Sequence, residues 1–233
     1  MHPIFAHRGV SSLAIENTKQ AIELCATYNI QAIEIDLQLL GDLSAVLFHD
    51  SNLERLAQQS DELSELSKHD MKKIQLNMPD KQSESVLFMD EFIQLVLKHN
   101  LKVNAELKRF DQSIEHYIQY IIEPLLSAVP SEQLLISSFD FELLKAVRAF
   151  SSTIDIALLS RKLESDVLDK AEELSAIACH LQNQFLDLAD IKTIKQSVKY
   201  LGVFTVNEPE RYNELREAGV DYVFSDYPHI LNN

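Results

Sequence analysis

Short apolar runs alternate with longer amphipathic ones along almost the whole chain. The short runs predict strands over 4–7, 32–37, 102–107, 134–138, 154–159, 176–181, 201–206 and 222–226. Between them lie stretches with helical periodicity, among them 141–150, 166–174 and 209–218. The last opens with Pro209, at a first helical position that needs no N–H. It is followed by Gly219, the residue best suited to a left-handed stop. Glu16-Asn17-Thr18 offers capping groups ahead of an amphipathic helix through 21–25. Alternation of this kind predicts an α/β fold of the (β/α)8 TIM-barrel type, with a doubly wound open sheet as the competing arrangement.

One run breaks the rhythm. Residues 45–49 also look like a strand, yet only a few residues separate them from 32–37. A parallel neighbour needs a crossover of about a dozen residues or more. The run is therefore expected to be the return arm of a hairpin that turns near Gly41-Asp42. The segment after it, roughly 50–85, is polar and loosely patterned. It reads as a small insertion after the second barrel strand, partly helical over 63–74. The whole chain, 1–233, reads as a single domain carrying that insertion.

Composition narrows the function classes. The 233 residues suit one barrel of the usual ~250. A formal net charge of −15 repels nucleic acid and anionic membranes, so neither is expected as a partner. A small phosphorylated substrate stays possible, because a metal ion and a few cations reverse the sign locally. The two cysteines, Cys25 and Cys179, form no CxxC pair and sit among apolar neighbours, as buried thiols do. The start Met1-His2-Pro3-Ile4-Phe5-Ala6-His7 has neither the basic head nor the apolar run of a signal peptide. No stretch approaches the ~20 apolar residues of a membrane span. A cytoplasmic protein is the expectation.

Within the strands, some residues are out of character. Glu34 and Asp36 interrupt an apolar strand two residues apart and so share a face. Two carboxylates on one buried face need positive charge between them. A divalent cation with oxygen ligands answers that need; pairing with Arg or Lys answers it equally well. Asn104, Glu106 and Lys108 alternate in the same way, and Glu106 could complete a three-carboxylate site. An ion pair between Glu106 and Lys108 is the plainer alternative. His7 ends the first strand and leads into Arg8-Gly9, which brings an imidazole, a guanidinium and a flexible turn to the barrel mouth. His49 ends the hairpin arm, before Asp50. Of the other histidines, His2, His69, His99, His116 and His229 read as surface or loop residues. His180, in an apolar strand, reads as a core or mouth residue.

Taken in order, these pieces resemble the glycerophosphodiester phosphodiesterases. The matching pieces are His7-Arg8-Gly9, Glu16-Asn17-Thr18, Glu34-Ile35-Asp36, and His49-Asp50 with Leu53 and Arg55. They continue with Asn104-Ala105-Glu106-Leu107-Lys108, Ser137-Ser138-Phe139, Thr205-Val206-Asn207, and Gly219-Val220-Asp221 leading to Ser225-Asp226-Tyr227-Pro228. Each piece is short, but the ordered set is specific. The resemblance implies a TIM barrel and one divalent metal ion, Mg²⁺ or Ca²⁺, with Mn²⁺ also fitting. It implies Glu34, Asp36 and Glu106 as ligands, His7 and His49 as the general acid/base pair, and Arg8 and Lys108 as phosphate contacts. Phe139 and Phe204 are candidate pocket residues. The implied substrates are small glycerophosphodiesters, such as glycerophosphocholine and glycerophosphoethanolamine, cleaved to sn-glycerol 3-phosphate and an alcohol.

The chain departs from the family pattern at Ile15, where Pro is usual, at Leu40-Gly41-Asp42-Leu43, at Leu56-Ala57-Gln58-Gln59, and at Phe204, where Trp is usual. None of these removes a catalytic group, and the loop changes bear on substrate preference. Two alternatives share the fold: a lysophospholipase D-like enzyme, against which no strongly apolar loop is visible, and a silent phosphodiester-binding barrel. A metal-dependent amidohydrolase would carry His-x-His where this chain has His7-Arg8-Gly9.

Overall fold

The pleat of the strands sorts their side chains into two sets, and this decides the architecture. The structure, a computed structural model, describes residues 4–231, so His2 lies outside it. The strands in chain order are β1 Ile4–His7, β2 Ala32–Leu39, β3 Ala45–Leu47, β4 Gln75–Leu76, β5 Glu84–Ser85 and β6 Lys102–Leu107. They continue with β7 Leu134–Ser138, β8 Asp155–Ser160, β9 Ala178–Gln182, β10 Tyr200–Phe204 and β11 Tyr222–Ser225. Parallel pairing runs β1-β11-β10-β9-β8-β7-β6-β2, and β1 also pairs with β2. That last pairing closes the ring into a (β/α)8 barrel and rules out the open sheet.

Ile33, Ile35 and Leu37 of β2, with Val103, Ala105 and Leu107 of β6, pack outward against the helices in the main hydrophobic cluster. Ala32, Phe5, Leu135, Ala157, Ala178, Tyr222 and Phe224 form a separate cluster inside the barrel. The alternation places Glu34, Asp36, Asn104 and Glu106 on the inner face, where all four are buried. His180 is buried there too, and its Nε2 lies 2.7 Å from the Tyr222 hydroxyl. Burial pushes its pKa down to about 3, so it sits neutral as a core residue. Beside it, a Cβ at Gly202 would lie 2.5 Å from the Tyr222 ring.

The helix signals hold where they were strongest. Thr18 caps helix Lys19–Thr27 by accepting from the Ala21 amide, and helix Pro209–Ala218 ends at Gly219 with φ +101°. The hairpin is present: β3 lies antiparallel to β2, with Leu37 opposite Leu47. It lengthens β2 to Leu39, past the predicted end. The helix expected over 63–74 is instead two pieces, a 3₁₀ turn at Leu63–Glu65 and a short helix at Lys68–Met71. The cause is Ser67, which forms a reciprocal cap with Asp70 and starts a new helix at that point. The segment's apolar residues, Leu53, Leu56, Leu63, Met71 and Leu76, share a cluster with Ile15, Phe48 and Phe88.

Cys25 and Cys179 are buried, and burial pushes both thiols up to about 12. Among the described residues, no helix is long and apolar enough to cross a membrane.

Candidate active site

Parallel pairing in register brings the three inward acids together. Asp36 is opposite Glu106, and His7 is opposite Glu34. One oxygen from each of Glu34, Asp36 and Glu106 falls within 4.8 Å of the others, and all three residues are buried. Burial, then Asp36 and Glu106, push the Glu34 carboxyl well above the usual carboxylate range. Burial and Asp36 push Glu106 up as well. For Asp36, burial also opposes ionisation, but Arg8 and Lys108 outweigh it and hold the carboxyl below the ordinary range.

Both anticipated phosphate cations have their heads on these acids. Arg8 Nε lies 3.0 Å from Asp36 Oδ2, and the Arg8 backbone amide donates to Glu34 Oε2 at 2.9 Å. Lys108 Nζ is 3.4 Å from Asp36 Oδ1 and in contact with Glu106 Oε1. The Glu106–Lys108 ion pair, the plainer of the two sequence readings, is therefore present, within the acid cluster. Even so, buried Glu34 Oε1 has neither a hydrogen bond nor an ion-pair partner among the described residues, and Asp36 Oδ1 has no hydrogen bond, only the Lys108 ion pair. Buried oxygens left in this way are uncommon in a protein interior.

The local backbone is shaped to deliver Arg8. Arg8 has φ +58° and Gly9 has φ +85°. A Cβ on Gly9 would fall 2.7 Å from the Ala21 backbone, so only glycine fits there. Asn17, at φ +57°, binds Asp36 twice: its Nδ2 donates to Oδ2 at 2.8 Å, and its Oδ1 accepts from the Asp36 amide at 3.2 Å.

Each of the two candidate histidines is held by a carboxylate. His7 Nδ1 lies 2.7 Å from Asp226 Oδ1, and Asp226 is fixed in turn by Ser11 and Asn207. His49 Nδ1 lies 2.7 Å from Asp50 Oδ1. With the Nδ1 atoms so engaged, the Nε2 atoms remain for other chemistry. Burial opposes ionisation of Asp226 and Asp50, but their histidine partners and other donors outweigh it and bring both down to about 2. Arg55 bridges Asp50 to Glu16, and Glu16 also binds Arg8 at 2.7 Å. One network of charge therefore runs from His49 to Asp36.

His7, Arg8, His49, Glu106, Lys108, Phe139 and Phe204 all line one cavity of about 490 Å³. Phe139 and Phe204 meet edge to face at 6.0 Å, and Lys108 lies 5.8 Å from the Phe139 ring centre. Glu34 and Asp36 sit behind Arg8 and Lys108. Phe110, Phe139 and Phe185 are 48%, 44% and 51% exposed around this cavity and its neighbour. The sequence shows no apolar loop because each phenylalanine comes from a different loop.

Asp226, Asp50 and Arg55 carry no role in the sequence pattern, and Glu16 and Asn17 read there only as capping groups, although all stand inside the motifs quoted above. Asp226 is 219 positions from His7, and only folding joins them. Arg109, Arg161 and Gln182 also line the cavity, and no motif marks them.

This arrangement has clear relatives. The glycerophosphoryl diester phosphodiesterase family model matches residues 7–230. The Bacillus subtilis protein YqiK is 27% identical, over 98% of this chain and 96% of its own. A glycerophosphodiester phosphodiesterase of Caldanaerobacter subterraneus is 25% identical, over 99% and 96%. The structure of an Oleispira antarctica phosphodiesterase, in complex with the product sn-glycerol-3-phosphate, superposes with a TM-score of 0.93 at 27% identity, covering 100% of this chain and 96% of that one. Sequence, fold and relatives agree that the chain belongs to the glycerophosphoryl diester phosphodiesterase family and is a phosphoric diester hydrolase.

Proposed function

We propose that this protein is a metal-dependent glycerophosphodiester phosphodiesterase. Its substrates are diesters such as glycerophosphocholine and glycerophosphoethanolamine, and its products are sn-glycerol 3-phosphate and the free alcohol. One observation carries the reading: two carboxylate-held imidazoles, His7 and His49, share a cavity with Arg8, Lys108 and Glu106 of the buried acid cluster. The product bound to the Oleispira relative supports the glycerol 3-phosphate assignment.

The acid cluster fits a hard divalent cation such as Mg²⁺, Ca²⁺ or Mn²⁺. It offers three carboxylates with oxygens within reach of one ion, and the buried, partnerless Glu34 Oε1 matches that preference for oxygen donors. Glu34, Asp36 and Glu106 would hold the ion. When bound, it would offset negative charge on the non-bridging phosphoryl oxygens.

The chain's own groups do the rest. Arg8 and Lys108 lie at the edge of the cavity and add positive charge beside the phosphate. One imidazole takes a proton from the nucleophile at Nε2, and the other returns a proton to the departing alkoxide. Each transfer is commonly worth about 10²–10⁴ in rate. The nucleophile, water or the glycerol hydroxyl next to the phosphate, presents its proton to the same base. Asp226 and Asp50 fix the ring tautomers and stabilise each imidazolium as it forms.

The test is release of glycerol 3-phosphate by His7→Ala and His49→Ala proteins that melt like the wild type. Loss in both is expected, and retained turnover in both would sink the assignment of roles.

A further inference from the structure

The active-site cavity does not end at Phe139. A second cavity of about 490 Å³ adjoins it, and the two share Phe139 and Arg161 in their walls. It is built on the carboxyl end of β8, with Phe139, Phe141 and Phe185 supplying aromatic surface. Its size falls in the ~300–1,000 Å³ range of small-molecule sites.

Its charge is unusual for this chain. In a protein of net charge −15, the lining holds three cations, Arg161, Lys162 and Lys170, against two carboxylates, Glu164 and Asp166. Lys170 pairs with Asp166 at 2.7 Å, and Lys162 with Glu164 at 3.5 Å. In the adjoining wall, Arg109 Nε donates to Asp140 at 2.7 Å, and Arg8 and Lys108 are committed to the acid cluster. Among the described residues, Arg161 alone of these cations has no hydrogen-bond or ion-pair partner. An unpaired guanidinium at the junction of two cavities suits a bidentate anion.

We infer that the second cavity receives the alcohol half of the diester, and that Arg161 selects alcohols bearing a further phosphate, such as a phosphorylated polyol. This rests on the phosphodiesterase reading above and names its substrate class. The scissile phosphate sits by His7 and His49, and the alcohol passes Phe139 with its distal phosphate at Arg161. A trimethylammonium or ammonium group in the same place would meet a like charge, so glycerophosphocholine and glycerophosphoethanolamine are expected to be cleaved, but as the poorer substrates.

The experiment compares glycerophosphoglycerol with the same diester phosphorylated on its distal glycerol. Disappearance of diester is followed as kcat/KM for the wild type, Arg161→Gln and Arg161→Lys. The wild type is expected to prefer the phosphorylated diester by about tenfold or more, the discrimination of one charge-assisted hydrogen bond. Arg161→Gln collapses that ratio toward one, and Arg161→Lys restores part of it. Equal wild-type rates on the two diesters, or an Arg161→Gln protein that loses both alike, would overturn the inference and leave the phosphodiesterase reading standing. If the wild type cleaves neither diester with any divalent ion, both fall together.

Discussion

Lys108→Met removes one of the two cations that neutralise the acid cluster. Lys108 Nζ lies 3.4 Å from Asp36 Oδ1, a separation worth about 5 kcal/mol at an effective dielectric constant of about 20. Its contact with Glu106 adds to this, and recovered lysine desolvation subtracts from it. Removing one partner of a buried ion pair costs about 3–5 kcal/mol, and a chain of this size loses roughly 2–4 °C of Tm per kcal/mol. A chelated Lys108→Met protein at pH 8 should therefore melt roughly 10 °C below the chelated wild type.

The pH dependence has a definite sign. The Glu34 and Glu106 carboxyls are already raised in the folded protein, by burial and neighbouring carboxylates. An acid raised on folding binds more protons when folded. Its contribution to stability is therefore fully present below the unfolded value of 4.5 and is lost as pH rises through the folded one. Without Lys108 the Glu106 value rises further, and protonation relieves the strain at low pH. The Tm deficit should be small near pH 5 and large at pH 8. Differential scanning fluorimetry in EDTA measures it directly. A deficit under about 2 °C at pH 8, well below the estimate from broken buried pairs, would refute the electrostatic reasoning, as would a deficit that shrinks as pH rises.

Other perturbations follow from the same geometry. Asp226→Asn keeps the shape of the His7 contact but loses its charge, so kcat should fall about 10–100-fold, and Tm should also fall at neutral pH, where the carboxylate's stabilisation is in force. Because the folded Asp226 carboxyl lies at about 2 against 3.8 for the free side chain, its stabilisation is complete above about pH 4 and is lost as pH falls through 2. An acid melt of Asp226→Asn should show a shallower decline across that window. Gly9→Ala drives a methyl group to 2.7 Å from the Ala21 backbone at φ +85°, which should cost about 2 kcal/mol or more and lower activity by moving Arg8. Glu34→Gln removes a carboxylate charge from the cluster, so calorimetry should find weaker Mn²⁺ binding than in the wild type.

Some of this was legible in the chain and some was not, for physical reasons. Glu34 and Asp36 stood out because a strand alternates with period two, and two acids in phase on an apolar strand need an explanation. The hairpin at β3 was legible because a parallel crossover does not fit in so few residues. The break at Ser67 was missed because its capping competes locally with a helical pattern that otherwise continues. The placement of Arg8 and Lys108 on Asp36 was open, since either a metal ion or a cation satisfies a buried carboxylate, and this site brings cations to it. Asp226 and Arg161 were not legible as site residues. The first reaches His7 from the far end of the chain, and the second matters only because two cavities meet beside it.

The most direct test of the central claim is metal-restored release of glycerol 3-phosphate. Chelator-stripped protein is incubated with glycerophosphocholine, glycerophosphoethanolamine and the phosphorylated glycerophosphoglycerol, with Mg²⁺, Ca²⁺ or Mn²⁺ added singly. No release is expected after stripping, with recovery by at least one ion in the wild type but not in the Glu34→Gln protein. Full activity in the stripped enzyme, or no activity from folded protein with any ion and any of the three diesters, would contradict that claim.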